Sequence, residues 1–283
     1  MKRLIIVISC FFVVIVDSFC QNLLKQNIYY DDMNYYNPAA SFYDTSRQYY
    51  ASFYTKYKFL NSPVYAEKPY DFSVSFQGRT QNTSGHYTAG YLYDGYSFFD
   101  RHSLYGGYGY KWDFGGHRLS IGARATLNFD AICWDKFSGA HYIGQQLFVM
   151  PDIDLGLYYQ WKGLNLGISA KNLLAIGERV DGNVLLRSRR TLFTNLSYDL
   201  YLSEIMLAPH LLLSYDGEIG LDIGIFGRLF EYGKFSYIFR VKELRHVILL
   251  GGDIPCGLTL DIAFDFSNAA RDKHLDVRIG YKF

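Results

Sequence analysis

The eleven residues 273–283 alternate without a break. Leu275, Val277, Ile279, Tyr281 and Phe283 fall on one face, and Asp276, Arg278, Gly280 and Lys282 on the other. Side chains of a strand point alternately to its two sides, so this stretch is a ribbon with one apolar and one polar wall. It ends on an aromatic ring at the last residue. That is the pattern of the closing strand of an outer-membrane β-barrel. The five apolar positions are the candidate barrel assembly signal, with Phe283 at its end.

The same period recurs after residue 46. Between 117 and 130, Leu119, Ile121, Ala123, Ala125, Leu127 and Phe129 face one way, and Arg118, Ser120, Gly122, Arg124, Thr126 and Asn128 the other. A helix would space its apolar residues by three and four. All the charges fall on the polar wall, as a lipid-facing sheet requires: Arg or Lys toward the bilayer midplane costs roughly 2–4 kcal/mol. Similar ribbons begin near Gln48, Tyr70, His86, His102, Met150, Leu164, Arg190, Ile205, Glu218, Lys234, Arg245 and Gly257. With the two above they predict about fourteen strands, each near the ~9–11 residues of a tilted membrane strand. Two are weaker. One carries Pro209, which cannot donate to a ladder, and one is continuously apolar at Val247 to Leu250.

The gaps between ribbons also alternate. Those at 60–69, 95–101, 131–149 and 172–189 are long, whereas those at 113–116, 162–163 and 203–204 are short. Outer-membrane barrels combine long external loops with short periplasmic turns. The expected fold is therefore all-β: a transmembrane antiparallel barrel of about 14 strands with both termini periplasmic. Asp216-Gly217 carries the residue types of a two-residue hairpin turn.

Composition agrees. The chain has 27 Tyr and 22 Phe, so that aromatic residues (18%) nearly equal charged ones (19%). Barrels place such rings in girdles at both membrane interfaces. Lys2 and Arg3 precede a short apolar run, with Ser18 and Cys20 at the positions before a cleavage point at Gln21. This reads as a secretory signal. The chain divides into a signal peptide at 1–20, a Tyr/Asn-rich periplasmic N-terminal segment at 21–46 and an outer-membrane barrel at 47–283. The N-terminal segment neither alternates nor repeats at helical spacing. It either plugs the lumen, lies beneath the barrel against a periplasmic partner, or is disordered; its many rings argue for docking. Without the signal, 28 basic residues lose two and 27 acidic residues lose one, leaving 26 of each. That balance offers no basic face for nucleic acid.

No residue constellation points to chemistry. The histidines at 86, 102, 117, 141, 210, 246 and 274 are scattered, and none has the spacing of a zinc hydrolase. Asp152 and Asp154 share one strand face, as a cation pair would, but alternation at a strand start produces the same spacing. Cys133 and Cys256 are far apart in sequence. Arg187, Arg189 and Arg190 form a basic knot suited to lipopolysaccharide phosphate, to a protein partner or to solvent. No catalytic residue, cofactor site or metal site is expected. Arg118, Arg124, Arg228, Arg240, Asp261, Asp265 and Arg278 fall on the inner wall, where they either line a pore or pack as an ion-paired plug.

Several motifs resemble one family in their order. Asn37-Pro38-Ala39 follows a Tyr/Asn-rich start. His117 to Gly122 is similar to a central "rLSfG" strand. Pro151, Asp152, Gly156 and Tyr159 sit in a segment similar to "PDfgaGvyY", and residues 166–174 to "lGlS…nLl". These resemble the PorP/SprF family. The family's Arg-Gln-Trp segment near the second strand has no clean equivalent around Tyr57 to Asn61. The resemblance implies an outer-membrane barrel of the type IX secretion and gliding-motility apparatus of Bacteroidota, with no catalysis. Its implied partners are a secreted surface adhesin or other client, and a periplasmic type IX or peptidoglycan-binding lipoprotein. The competing reading is a channel for small solutes or hydrophobic molecules.

Overall fold

The computed structural model describes residues 26–30, 32–40, 47–59, 70–80, 84–96, 99–133, 144–180, 183–230, 232–267 and 273–283. The signal-peptide reading and His141 lie outside them. So do the connections at 60–69 and 134–143.

A single 3-10 turn, Met33–Tyr35, precedes the strands. These are β1 (Tyr49–Phe59), β2 (Tyr70–Arg79), β3 (Gly85–Tyr96), β4 (Phe99–Phe114), β5 (His117–Cys133), β6 (Gln145–Trp161), β7 (Leu164–Lys171), β8 (Gly177–Val180), β9 (Asn183–Arg187), β10 (Thr191–Tyr198), β11 (Leu200–Leu202), β12 (Ile205–Tyr215), β13 (Ile219–Leu229), β14 (Gly233–Arg240), β15 (Arg245–Asp253), β16 (Leu258–Ser267) and β17 (Lys273–Lys282). β8 and β9 form a separate hairpin. β10 and β11 are one strand interrupted at Asp199, since both pair with β12. The rest pair antiparallel with their neighbours, and β1 pairs with β17, so 14 strands close into a barrel.

Alternation decides which wall each residue joins. Leu104, Ile121, Leu155, Ile223, Leu250 and Ile262 face outward and are exposed, whereas Asp71, Asp130, Asp154, Asp261, Asp265 and Asp276 face inward and are almost fully buried. Water would not tolerate so continuous an apolar exterior. Hydrocarbon does, and closure leaves no sheet edge whose backbone groups lack partners. The outward histidines sit among rings. His117 stacks between Phe114 and Trp161, and His246 lies against Phe239 and Phe266. Their place is in the interfacial girdles.

The two ends differ. One end carries the short turns, such as Gly115-Gly116 (φ 58° and 84°) and Lys162-Gly163 (φ 45° and 87°). Two successive positive φ values make the tight hairpin turn that matches strand twist. This turn end also holds both ends of the barrel chain: the Tyr49 amide donates to the Phe283 carbonyl at 2.8 Å, and the Phe283 amide to the Tyr49 carbonyl at 3.0 Å. The other, loop end carries the long connections. One expected gap is shorter than the sequence suggested. β3 and β4 continue to Tyr96 and from Phe99, because Tyr93 and Asp100, paired by a 2.7 Å hydrogen bond, extend the ladder beyond Arg101. Likewise β5 and β6 run to Cys133 and from Gln145.

Candidate functional site

The N-terminal segment lies inside the barrel over residues 26–30 and 32–40, rather than beneath it. Asn27, Ile28, Tyr29, Asn34, Tyr36, Asn37, Ala39 and Ala40 are each at most 3% exposed. The physical reason is complementarity. The lumen's carboxylates and guanidinium groups satisfy amides, phenols and backbone carbonyls, while Phe193, Leu212, Ile238 and Val247 on the inner wall pack against Ile28, Tyr29 and Tyr36.

The segment doubles back within the lumen. The Gln26 carbonyl accepts from Arg240 (3.2 Å), the last residue of β14, at the loop end. The chain descends past Ile28, whose carbonyl accepts from Arg278 (3.4 Å), to Tyr30, whose hydroxyl donates to Asp199 (3.0 Å) near the turn end. Asp32 accepts from Gln77 Nε2 at 2.6 Å. Tyr35 then rises to Lys171, the last residue of β7, where the Lys171 ammonium lies 4.1 Å from its ring centre and donates to its carbonyl at 3.0 Å. From there the chain turns down through Asn37-Pro38-Ala39 to Ala40.

That turn rests on glycines. Gly122 of β5 and Gly156 of β6 face each other in register, both pointing inward, and Gly167 of β7 adjoins them. A Cβ at Gly122 would strike the Pro38 carbonyl, and one at Gly156 the Asn37 side chain. Three missing side chains make a trough in which a backbone lies directly on the wall. Asn37 secures it: its Nδ2 donates to the Leu157 carbonyl at 2.9 Å, and its Oδ1 accepts the Ala39 amide at 2.9 Å. His86 Nε2 donates to the Pro38 carbonyl (3.1 Å), and the Ser169 hydroxyl to the Tyr36 carbonyl (2.7 Å).

Of the motif residues, Asn37, Pro38, Ala39 and Gly156 thus meet at one place, joined by Gly122 and Gly167. Asp152 lies near them but caps the chain beyond β7 by accepting the Leu174 amide at 3.0 Å. Pro151 and Tyr159 face outward, and the Tyr159 hydroxyl bonds His117 Nδ1 at 2.6 Å. Asp152 and Asp154 do not form an open cation pair. Asp154 accepts from Arg124 (2.7 Å) and from the Asn172 amide (2.9 Å). No group of metal-ligating side chains occurs among the described residues.

Ion pairs stiffen the wall around the plug. Arg124 pairs with Asp154, Arg278 with Asp261 (2.6 Å), Arg101 with Asp130 (2.6 Å), and Arg245 with Asp265 (2.5 Å). At the turn end Asp253 takes both Lys234 (2.6 Å) and Lys282 (2.9 Å). Burial raises the phenol pKa values of Tyr29, Tyr30, Tyr35 and Tyr36 well above the ordinary value, so these groups are neutral. Among the described residues, spaces of about 50 Å³ near Arg124 and about 20 Å³ near His210 lie between plug and wall. A larger vestibule of about 710 Å³ opens at the turn end. Tyr30, Met33, Ala39 and Ala40 form part of its lining, with Lys111, Arg118 and Trp161 among the wall residues.

A closed 14-strand barrel with an apolar exterior and an ion-paired lumen is an outer-membrane β-barrel. The solved structures it resembles agree in fold: the Acinetobacter baumannii outer membrane protein Omp33 (TM-score 0.55, 7% identity, 84% of this chain and 98% of that one), the Ralstonia pickettii toluene transporter TbuX (0.54, 9%, 84% and 90%) and a mutant of the TodX monoaromatic hydrocarbon channel (0.53, 12%, 87% and 93%). No curated protein matches the sequence. Residues 18–274 match the family described as type IX secretion system membrane protein PorP/SprF, and the chain belongs to that family.

Proposed function

We propose that this barrel serves the type IX secretion and gliding-motility apparatus as a closed anchor, assisting the secretion or surface retention of a specific secreted client. On this reading residues 1–20 direct export in a member of the Bacteroidota. The turn end, with both chain ends, faces periplasmic components such as a peptidoglycan-binding lipoprotein. The loop end, with the long connections, faces the client. No residue acts as a catalyst or holds a cofactor. The observation that carries the proposal is the filled lumen. An anchor needs a rigid wall and no pore, whereas a solute channel needs a continuous path, and residues 26–30 and 32–40 stand in it.

The channel reading draws on the likeness to hydrocarbon transporters, but at 7–12% identity that likeness concerns architecture alone. The test is an affinity pulldown of the tagged protein from its native outer membrane, with mass spectrometry, alongside single-channel recording. Recovery of a large surface protein or type IX components, with a silent bilayer, is expected. Partner-free protein that conducts ions would move the assignment to a channel.

A further inference from the structure

The hydrogen bonds from the wall to the plug go mainly to its backbone. Arg124 Nη1 and Nη2 donate to the carbonyls of Asn34 and Tyr35, both at 3.0 Å, and Lys171 donates to the second as well. Arg278 donates to the Ile28 carbonyl and Arg240 to that of Gln26. Asp276 accepts the Asn27 amide at 3.2 Å. Each of the three arginines is also held by a carboxylate on the wall: Asp154 for Arg124, Asp261 for Arg278, and Asp222 (3.4 Å) for Arg240. The carboxylates fix the guanidinium groups, and the remaining N–H groups point at whatever chain lies in the lumen. Side chains are held as well: Ile28, Tyr29 and Tyr36 pack against Phe193, Leu212, Ile238 and Val247, Tyr30 stacks on Phe226, and Asn27 Nδ2 donates to Asp265 at 3.3 Å. The Tyr29 hydroxyl is buried without a hydrogen-bond partner, although its ring packs edge-on against Tyr36. Donors preset by the wall and aimed at carbonyls are the features of a peptide-binding groove.

We propose that the lumen is a peptide-binding groove and that residues 26–40 are its exchangeable resident. A segment of another polypeptide with the same chemistry can replace them: rich in Tyr and Asn, poor in charge, and turning at an Asn-Pro step over Gly122 and Gly156. The vestibule supplies the entry. It lies at the turn end, large enough for several side chains, and the plug's own Tyr30, Met33, Ala39 and Ala40 form part of its lining. An incoming chain therefore meets the resident segment before it meets the groove. The proposal goes beyond the secretion reading and does not depend on it, since the groove is defined by the wall and not by the identity of any client.

The experiment uses the full-length protein with a protease site inserted between Ala40 and Arg47. The protein is folded and purified intact, then cleaved, so that folding never depends on a missing plug. A fluorescent synthetic peptide with the sequence of residues 26–40 is added, and its anisotropy followed. We expect saturable binding to the cleaved barrel and at least tenfold weaker binding to the uncleaved one. Unlabelled peptide should displace the probe. A Tyr29→Phe peptide should compete within threefold of the parent, and an Asn37→Ala peptide at least tenfold less well. As a second measurement, the uncleaved Asn37→Ala protein should admit the labelled peptide, because its resident segment loses the bond to the Leu157 carbonyl while the wall is unchanged. The proposal is overturned if the cleaved segment stays bound and no labelled peptide enters either protein. It is equally overturned if the segment leaves and the empty barrel fails to bind the peptide.

Discussion

Replacing Gly122 by alanine tests the seating of the plug directly. The added Cβ would stand 2.5 Å from the Ala39 amide nitrogen and nearer still to the Pro38 carbonyl, where ordinary contact begins at about 3.4 Å. The Asn-Pro-Ala turn must therefore retreat by at least about 0.9 Å, a figure set by van der Waals contact. That retreat stretches the Asn37–Leu157 bond, now 2.9 Å, and the His86–Pro38 bond, now 3.1 Å, beyond hydrogen-bonding range. Two hydrogen bonds at about 1 kcal/mol each, with about 1 kcal/mol of overpacking, weaken docking by roughly 3 kcal/mol. Amide hydrogen exchange followed by mass spectrometry reads this locally: exchange across residues 32–40 should quicken by about 100-fold. The barrel strands should keep their protection. Gly106 is the control, because it faces outward and an added Cβ there meets nothing within 4 Å. If exchange across 32–40 in Gly122→Ala stays within threefold of the parent while the strands remain folded, the glycine trough does not seat the plug.

Four further outcomes follow from the same geometry. Arg124→Met leaves the buried Asp154 without its cation and should cost about 3–5 kcal/mol, read as a lowered midpoint for loss of the heat-modifiable folded band on gels; Arg124→Met with Asp154→Leu should recover much of it. Tyr29→Phe removes a buried hydroxyl without a partner and should leave stability unchanged or raise it by about 1 kcal/mol in urea titration. The plug phenols have raised pKa values, so the folded form holds their protons longer than the released form. Plug docking should be constant up to about pH 10 and weaken above it, by up to about 1.4 kcal/mol per pH unit for each phenol, checked by protease protection of residues 26–40. Finally, removing Phe283 deletes the amide bonded to Tyr49 and a ring 5.3 Å from that of Tyr49; the yield of folded barrel in the outer membrane should fall severalfold, measured against total protein.

The strands were legible because membrane β-structure has a period of two with nothing to interrupt it. The alternation defines fourteen ribbons, and most strands begin within one or two residues of the ribbon starts. Larger shifts occur where polar residues such as Asp100 and Gln146 extend the ladder past the apolar repeat that defined the strand. Pro209 does not break β12; it faces outward opposite Ile225 in register. Parity places the inner-wall charges, but it does not name their partners. Arg124 and Asp154 are 30 residues apart, and only the register of β5 on β6 sets them opposite each other. The plug seat was visible only in parts. Asn37-Pro38-Ala39 and the glycines at 122, 156 and 167 each stood within a motif. The glycines also share the inward parity of the charged residues, a sign that space rather than a side chain is needed there. What linked them was the path of a segment with no period of its own.

The unequal strand lengths have a mechanical consequence. β4, β5 and β6 have 16, 17 and 17 residues, whereas β14 and β15 on the far wall have 8 and 9. At about 3.4 Å per residue and a tilt near 40°, the long strands rise roughly 40 Å along the membrane normal, against an apolar band of about 25 Å. One side of the barrel therefore stands above the bilayer as a stiff parapet, while the other ends near the headgroups. A molecule held at the loop end leans on that parapet, so lateral load passes into one continuous sheet rather than into loops.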